Sequence, residues 1–452
     1  MAKLIINGGK PLNGTVKVSG SKNAALPLIA GSILADETKL TNVPRIKDVE
    51  SMLEIISYLG GEYKWTGENE VSINAKNVKS KPLPETARKL RASILFAGPM
   101  LARFGRAELP YPGGDIIGAR PLDTHTNSFI TLGAGICHGE SMCLSAEMLS
   151  GGKIVLEESS VTATENILLL ASGIEKEVEI RLAAAEPHVQ NLCHFLVACG
   201  AQISGIGTTT LKIHGRKLPL KNTTHAVIPD ELEASAFAVL GAVTKSNLTI
   251  SGVDFEYLDS VLLQLEKMNV NFSCFGNSIN PAPFHNSNGF VKNSLHNISS
   301  STRQEHISLE RCGIKIMPPD NPYRAFRIQS GLYPKLVTDH LPPFVVLATQ
   351  ADGTSLVHEW LYEARQSYIR ELMKMGANAV IMDPHRALII GPTPLYGKEV
   401  TSFDIRSGMT MVIAALAATG QTTITGVEHI DRGYEKLEER LKNIGADIIR
   451  TE

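Results

Sequence analysis

Two patterns of apolar and polar positions interleave along this chain, and each occurs six times. The first is an amphipathic stretch with helical spacing that closes on Leu-Gly-Ala-x-Ile or a near variant. It reads SYLGGEY at 57–63, ITLGAGI at 130–136, VACGAQI at 197–203, KMNVNF at 267–272, KMGANAV at 374–380 and KNIGADI at 442–448. Such a segment predicts a helix ended by a residue in the left-handed region, usually glycine and once asparagine, before a strand begins. The second pattern is an Ala-rich apolar helix, a short polar or Gly-containing turn and a β-branched strand. AALPLIAGSILADETKLTNV, ASILFAGPMLARFGRAELPY and NILLLASGIEKEVEIRLAA are the first three copies. ASAFAVLGAVTKSNLTISGV, PFVVLATQADGTSLVHEWL and MTMVIAALAATGQTTITGV are the last three. Runs such as MTMVIAALAA lack a polar stripe and predict helices buried on all sides.

The spacing of the repeats fixes the unit. The capping positions Gly60, Gly133, Gly200, Asn269, Gly376 and Gly445 are separated by 73, 67, 69, 107 and 69 residues. Four intervals agree on about 70 residues, and the long one places an insertion between Asn269 and Gly376. Composition locates it at about 276–311, a stretch rich in Asn, Ser and His with no apolar period, which predicts a surface excursion. Two of its histidines, His285 and His296, lack metal-ligand spacing. A length of 452 residues has room for about three domains. Six helix-and-strand units predict instead an α/β protein with helices packed inside or between sheets.

Composition excludes several classes. Hydrophobic residues make up 43% and charged residues 20%, enough apolar material for a real core. The formal net charge is -2, so a chain-wide basic field for nucleic acid or membrane surfaces is absent. Six cysteines without a Cys-x-x-Cys pair exclude a disulfide scaffold and argue against a structural metal. Cys137, Cys143, Cys193 and Cys199 are read as small buried hydrophobes. The amino terminus shows no signal-peptide pattern, and no apolar run reaches membrane-spanning length, so a cytoplasmic location is expected.

Candidate chemistry gathers at a few places. Ser19-Gly20-Ser21-Lys22-Asn23 precedes an apolar helix, so Lys22 and Asn23 fall at its N-terminus, where a cation and free backbone N–H groups suit an anion. The same residues also fit an ordinary helix cap. Pro112-Gly113-Gly114-Asp115-Ile116-Ile117-Gly118-Ala119-Arg120 is a loop able to approach a ligand closely. Asp115 fits a general acid if enclosure raises its pKa, or a plain turn aspartate. Arg88, Lys89 and Arg91 open the predicted helix RKLRASILFAGPM. Arg365, Arg406 and Arg432, with Asp339 and Asp404, stand at matching places in later units, which points to one convergent anionic site.

In this order, VSGSKNAALPLIA, the GG-x-x-IGARP-x-D loop, VIPD-x-x-EA, Thr338-Asp339, Asp404-Ile405-Arg406 and HIDRGYE resemble the enolpyruvyl transferases, over nearly the whole chain apart from the insertion. The resemblance is to the members that act on UDP-N-acetylglucosamine in peptidoglycan precursor synthesis. It implies a two-globe inside-out α/β barrel of six βαβαββ-type units, with the active site in the cleft. The first globe would be 21–229, with the catalytic loop near 112–121. The second would be 1–20 plus 230–452. It implies transfer of the enolpyruvyl group of phosphoenolpyruvate to the sugar 3-hydroxyl with release of phosphate. Neither metal nor organic cofactor, and no nucleic acid, membrane or obligate protein partner, is implied.

Carried over by position, Lys22, Arg120 and Arg432 would hold the phosphate of phosphoenolpyruvate, and Arg365 and Arg406 its carboxylate. Asn23 and Asp339 would bind the sugar, Asp339 taking the hydroxyl proton, and Asp404 would assist proton transfer at the methylene carbon. Arg91, Arg120, Pro121, Leu122, Asp123, Thr124, the segment 158–161 and Leu361 would line the nucleotide-sugar site. Three departures stand out. The loop acid Asp115 replaces the usual cysteine that fosfomycin alkylates, which implies insensitivity to that antibiotic. Thr162 stands where glycine is usual, and Glu158 where lysine is frequent. Ala364-Arg365 replaces the usual Asn-Arg pair. Two other readings remain: a non-catalytic paralog that binds UDP-sugar, and a member acting on shikimate 3-phosphate.

Overall fold

The computed structural model describes residues 2–114, 117–276 and 312–452, so Asp115 and nearly all of the 276–311 insertion, with His285 and His296, lie outside the described residues. All six repeat caps adopt the left-handed backbone: φ is +103° at Gly60, +96° at Gly133, +106° at Gly200, +64° at Asn269, +106° at Gly376 and +96° at Gly445. Each ends the second helix of its unit and turns the chain into the next strand.

The described strands form six separate sheets, five of four strands and one of three, and none of them closes into a barrel. One plan recurs. Glu37–Thr41 pairs parallel with Thr223–Ala226 on one side and antiparallel with Glu70–Asn74 on the other, and Glu62–Gly67 completes the sheet. Gly353–His358 does the same with Arg327–Gln329, Arg386–Gly391 and Asn378–Ile381. Alternate residues of these strands are buried, the period-2 signature of a sheet covered on one face.

The covering elements are the apolar helices. Glu231–Val243 is buried along its whole length, and Ile405–Ala417 is buried from Ile405 to Leu416, as the missing polar stripe predicts. Together with Leu341–Thr349 they pack against one another at the centre of three sheets, where small alanines let the backbones approach. Buried apolar side chains fall into two clusters. One is drawn from residues 24–227, the other from 4–18 and 234–448.

The chain passes between the clusters twice, and the two crossings are hydrogen-bonded to each other. Ser21 N donates to Ile228 O (2.8 Å) and Asp230 N to Ser19 O (2.9 Å). The amino-terminal strand Lys3–Asn7 is inserted between Gln421–Thr425 and Asp447–Thr451, and Asn13–Lys17 pairs with Asn247–Ser251. These crossings tie the first residues of the chain to its last units.

Two sequence expectations are corrected here. The segment RKLRASILFAGPM is not one helix: two 3-10 turns, Glu85–Lys89 and Arg91–Phe96, precede an α-helix that begins only at Ala97. Pro99 explains this, since its ring and missing N–H are tolerated only within the first turn of a helix. Cys193 and Cys199 are buried as expected, but Cys143 is only partly buried and Cys137 is exposed, because the two are cross-strand partners at positions of Ser141–Ser145 and Gly135–His138 that alternate away from the core. Among the described residues, no helix is long and apolar enough to cross a membrane.

Candidate active site

The fully buried helices all present their N-termini to one place. A cavity of about 640 Å³ is lined by Lys22 and Asn23, Arg91, Thr162, Glu231, His340 and Arg406, each at or just before the start of the first helix of its unit. The positive ends of these helices therefore meet in one volume, although Ser21, Ser160, Asp230 and Asp404 cap four of them through their own side chains. The turns that open the second helices supply the rest of the wall: Asp48, Arg120, His188, Tyr257, Arg365 and Arg432.

Lys22 opens the helix Lys22–Gly31, whose N-cap Ser21 accepts a hydrogen bond from Ala24 N. Its ammonium lies 2.7 Å from Asp48, and Arg432 donates to the other oxygen of the same carboxylate at 2.9 Å. Burial alone would raise the Asp48 pKa, but Lys22 and Arg432 outweigh it and hold the carboxyl below its usual range. The second cluster is its counterpart. Arg365 reaches Asp339 at 2.7 Å and Arg406 at 3.0 Å, with Arg406 also bonded to the Tyr434 hydroxyl and Arg365 to the Thr338 hydroxyl. Burial opposes ionisation of Asp339, and the two guanidiniums overcome it and hold the carboxyl far below the ordinary carboxylate range. About a quarter of the Asp339 side chain (26%) remains open to the cavity.

The loop that carries Arg120 is pinned across the cleft. Ala119 N donates to Glu363 Oε1 (2.8 Å), Ala364 N to Ile117 O (3.1 Å), and Arg91 to Arg120 O (2.7 Å). Gly118 permits this approach, since a Cβ there would lie 2.5 Å from Glu363 Oε2. Burial is the larger reason that the Arg91 pKa is depressed to about 10, with Arg120 beside it as the second.

Most sequence candidates converge here. Lys22, Asn23, Arg91, Arg120, Pro121, Asp339, Leu361, Arg365, Asp404, Arg406, Arg432 and the 158–161 segment line the cavity. Asp404 also caps its own helix, accepting from Arg406 N and Ser407 N while Ser407 Oγ accepts from Asp404 N. Leu122 and Asp123 line an adjoining cavity of about 360 Å³ that shares Arg91, Arg120 and Pro121. Thr124 is buried and lines neither cavity. Arg88 and Lys89 do not join the site: Arg88 pairs with Glu85 on the surface, a consequence of the 3-10 turn that replaces the expected helix.

One wall was missed in the sequence. Glu186, His188, Glu231 and His340 line the cavity, are almost fully buried, and each has one side-chain polar atom without a hydrogen bond. Burial is the first cause of every shift among them. It raises Glu186, pushes Glu231 up to about 8 with help from Asp230, and depresses His188 to about 4 and His340 to about 3. At neutral pH the two imidazoles are uncharged, and burial favours the neutral form of both carboxyls. Among the described residues no group of three or more His, Cys, Asp or Glu is arranged to hold a metal ion.

The sequence matches the EPSP synthase (3-phosphoshikimate 1-carboxyvinyltransferase) family over residues 6–441. The chain belongs to this family. Within it, the chain is 41% identical over 450 residues to the UDP-N-acetylglucosamine 1-carboxyvinyltransferase of Treponema denticola, covering 99% of each chain. It is 40% identical to the protein of that name from Bradyrhizobium diazoefficiens, covering 99% of this chain and 97% of the relative. Among solved structures, the enolpyruvyl transferase NikO from Streptomyces tendae shares the fold with a TM-score of 0.83 at 22% identity, over 100% of this chain and 99% of that one. An EPSP synthase from Acinetobacter baumannii superimposes over 100% of both chains with a TM-score of 0.72 at 18% identity. The six-sheet, inward-helix architecture is thus the enolpyruvyl transferase fold.

Proposed function

We propose that this chain is a UDP-N-acetylglucosamine 1-carboxyvinyltransferase, which moves the enolpyruvyl group of phosphoenolpyruvate to the 3-hydroxyl of the UDP-sugar and releases phosphate. Full-length identity of about 40% to relatives of that name carries the reading. The two globes would be 21–229 and 1–20 plus 230–452, consistent with the two apolar clusters, and the enzyme would work in the cytoplasm without nucleic acid, membrane or an obligate protein partner.

Roles follow from charge and position. Lys22, Arg120 and Arg432 would take the phosphate of phosphoenolpyruvate, and Arg365 and Arg406 its carboxylate. Asn23 and Asp339 would hold the acceptor sugar, and Arg91, Pro121 and Leu361 the nucleotide, with 122–124 behind them. While both guanidiniums grip Asp339 it is a weak base. When the substrate carboxylate draws Arg365 and Arg406 to itself, the Asp339 pKa rises and it accepts the 3-hydroxyl proton. The acceptor oxygen bonds to C2 of phosphoenolpyruvate as C3 gains a proton, with Asp115 as the donor. In the second step C3 loses a proton to Asp404 or its neighbours, the C2–O bond to phosphorus breaks, and phosphate leaves. Cations and helix N-termini stabilise the charge that builds on the leaving phosphate.

The test is phosphate release from phosphoenolpyruvate that depends on UDP-N-acetylglucosamine, with Asp115→Asn and Lys22→Ala as controls. Release by the wild type, lost in the controls, is expected. No release above the controls leaves the non-catalytic UDP-sugar-binding reading, and release with shikimate 3-phosphate instead would reassign the acceptor.

A further inference from the structure

Two cysteines stand directly opposite each other on the outer face of a hairpin. Strands Gly135–His138 and Ser141–Ser145 run antiparallel, with Cys137 paired to Cys143. At the tip Gly139 N donates to Ser141 O at 3.1 Å. Hydrogen-bonded pairs recur at every second residue of an antiparallel ladder, so Cys137 and Cys143 form such a pair, with Cα atoms about 5.5 Å apart. Disulfides most often span about 5.5–6 Å between Cα atoms. Met142 and Leu144 turn into the core, so the two thiols share the opposite face. Gly135–His138 is the edge of its sheet, which leaves Cys137 exposed, and Cys143 is partly buried beside it.

The polar neighbours of Cys143 give its proton a way out. Ser141 Oγ donates to Glu108 Oε1 at 3.3 Å, and Arg106 pairs with the other oxygen of that carboxylate. The serine hydrogen is thus committed, so in the 3.8 Å contact between Cys143 Sγ and Ser141 Oγ the thiol is the donor. A proton that leaves along Ser141 toward Glu108 leaves a thiolate facing Cys137, and the thiolate is the reactive form. Elsewhere the cysteines lack such a partner: Cys193, Cys199 and Cys312 are buried, and Cys274 stands opposite Ile314.

We propose that Cys137 and Cys143 are a reversible redox pair, a modification site that closes to a disulfide by exchange with a low-molecular-weight disulfide. The exposed Cys137 thiolate attacks one sulfur of the small disulfide, whose S–S bond breaks and expels one thiol. The Cys143 thiolate then attacks Cys137 Sγ, breaks the mixed bond and expels the second thiol. Two electrons pass from the protein to the small disulfide, and the two protons end on the released thiols. In a reducing compartment such an exposed bond is transient and reopens by the reverse exchange. Neither cysteine lines the cavity of the candidate active site, so the inference stands apart from the function proposed above. Ser141–Ser145 also pairs with Arg106–Pro110, which runs into the loop of Arg120, and Gly135–His138 follows the helix Asp123–Thr131 that leaves it. The bond therefore closes within the sheet that holds both ends of that loop.

The test incubates the full-length protein with oxidised glutathione, quenches with acid, and alkylates the remaining thiols after unfolding. Glu140 lies between the two cysteines, so digestion after glutamate places them on separate peptides. Expected in the wild type is a linked pair of these peptides that dithiothreitol separates, with four of the six cysteines still open to alkylation. Cys143→Ser lacks the second thiol and should stop at a glutathione adduct on Cys137. The proposal is overturned if the wild type keeps all six thiols, or accumulates the Cys137 adduct as Cys143→Ser does. A bond from either cysteine to one of the other four overturns it as well.

Discussion

Replacing Asp48 with asparagine keeps the shape of the side chain and removes its charge, so the two cations it holds are left facing one another. The Asp48 side chain is 6% exposed, Lys22 11% and Arg432 18%, and the contacts are 2.7 and 2.9 Å. Breaking a buried ion pair by removing one partner costs about 3–5 kcal/mol. Here both cations line the cavity and are 11% and 18% exposed, which lowers the expectation to about 2–3 kcal/mol of lost stability. The same change should favour an external anion. A phosphate bridging Lys22 and Arg432 from the cavity would sit roughly 5 Å from the carboxylate, and at an effective dielectric of about 20 that repulsion is about 3 kcal/mol. Even with half of it screened, inorganic phosphate should bind roughly tenfold tighter to Asp48→Asn than to the wild type. The assay is thermal unfolding over a phosphate titration at constant ionic strength. Asp48→Asn should melt lower without phosphate and regain more on adding it. Equal melting temperatures without phosphate, or a smaller phosphate-induced rise in the variant, would refute the view that Asp48 is the internal counter-ion of this site.

Three further outcomes can be checked independently. Burial raises Glu231 to about 8 from an ordinary 4.5, so the folded state holds a proton that the unfolded chain releases between those values; stability is therefore highest below pH 4.5 on this account and falls as pH rises toward 8. The decline in melting temperature from pH 6 to 8.5 should be shallower in Glu231→Gln, and parallel curves would remove Glu231 from the explanation. At Gly98 an added Cβ would stand 2.3 Å from the Asn166 carbonyl oxygen, so Gly98→Ala should cost about 3 kcal/mol in urea denaturation and shift Asn166, with the His125 and Thr162 hydrogen-bonded to it in turn. Fosfomycin needs a loop thiol, and position 115 is aspartate, so intact-mass spectrometry should find no adduct on the wild type and one adduct on Asp115→Cys.

The repeat was legible because it rests on backbone requirements that few residues meet. Five glycines and one asparagine at a period of about 70 mark left-handed turns, and all six turns are there. The buried helices were legible for a related reason: MTMVIAALAA has no polar face to present to water. Boundaries were less so, as Pro99 shows by delaying a helix that propensity alone would start at Arg88. The cations of the site were found through motifs, yet Asp48, Glu186, His188 and Glu231 were not, since a carboxylate near a helix start is most often an ordinary cap. A signal did exist. Every one of them lies at the same helix start in its unit as a residue already singled out: Asp48, Glu186 and His188 fall within two residues of the start of the second helix, as Arg365 does, and Glu231 opens the first helix, as Lys22 does. Superimposing the six units, rather than reading motifs one at a time, would have named them.

That equivalence also explains how a chain of net charge -2 can serve anionic ligands. The six helix N-termini impose a positive potential on the cavity whichever side chains line it, and the cations add to it. Left uncompensated, such a site would oppose folding. The chain supplies its own anions: Asp48 between Lys22 and Arg432, and Asp339 between Arg365 and Arg406. Substrate binding on this arrangement is an exchange of an internal anion for an external one, so the net gain per contact is smaller than the count of arginines suggests. On the function proposed above, the exchange would have a chemical result at Asp339, whose side chain is 26% open to the cavity and whose carboxyl would become a stronger base once released. Asp48, only 6% exposed, would stay paired with its two cations. On this reading one internal carboxylate would tune affinity and the other reactivity, although both are held by the same kind of bond.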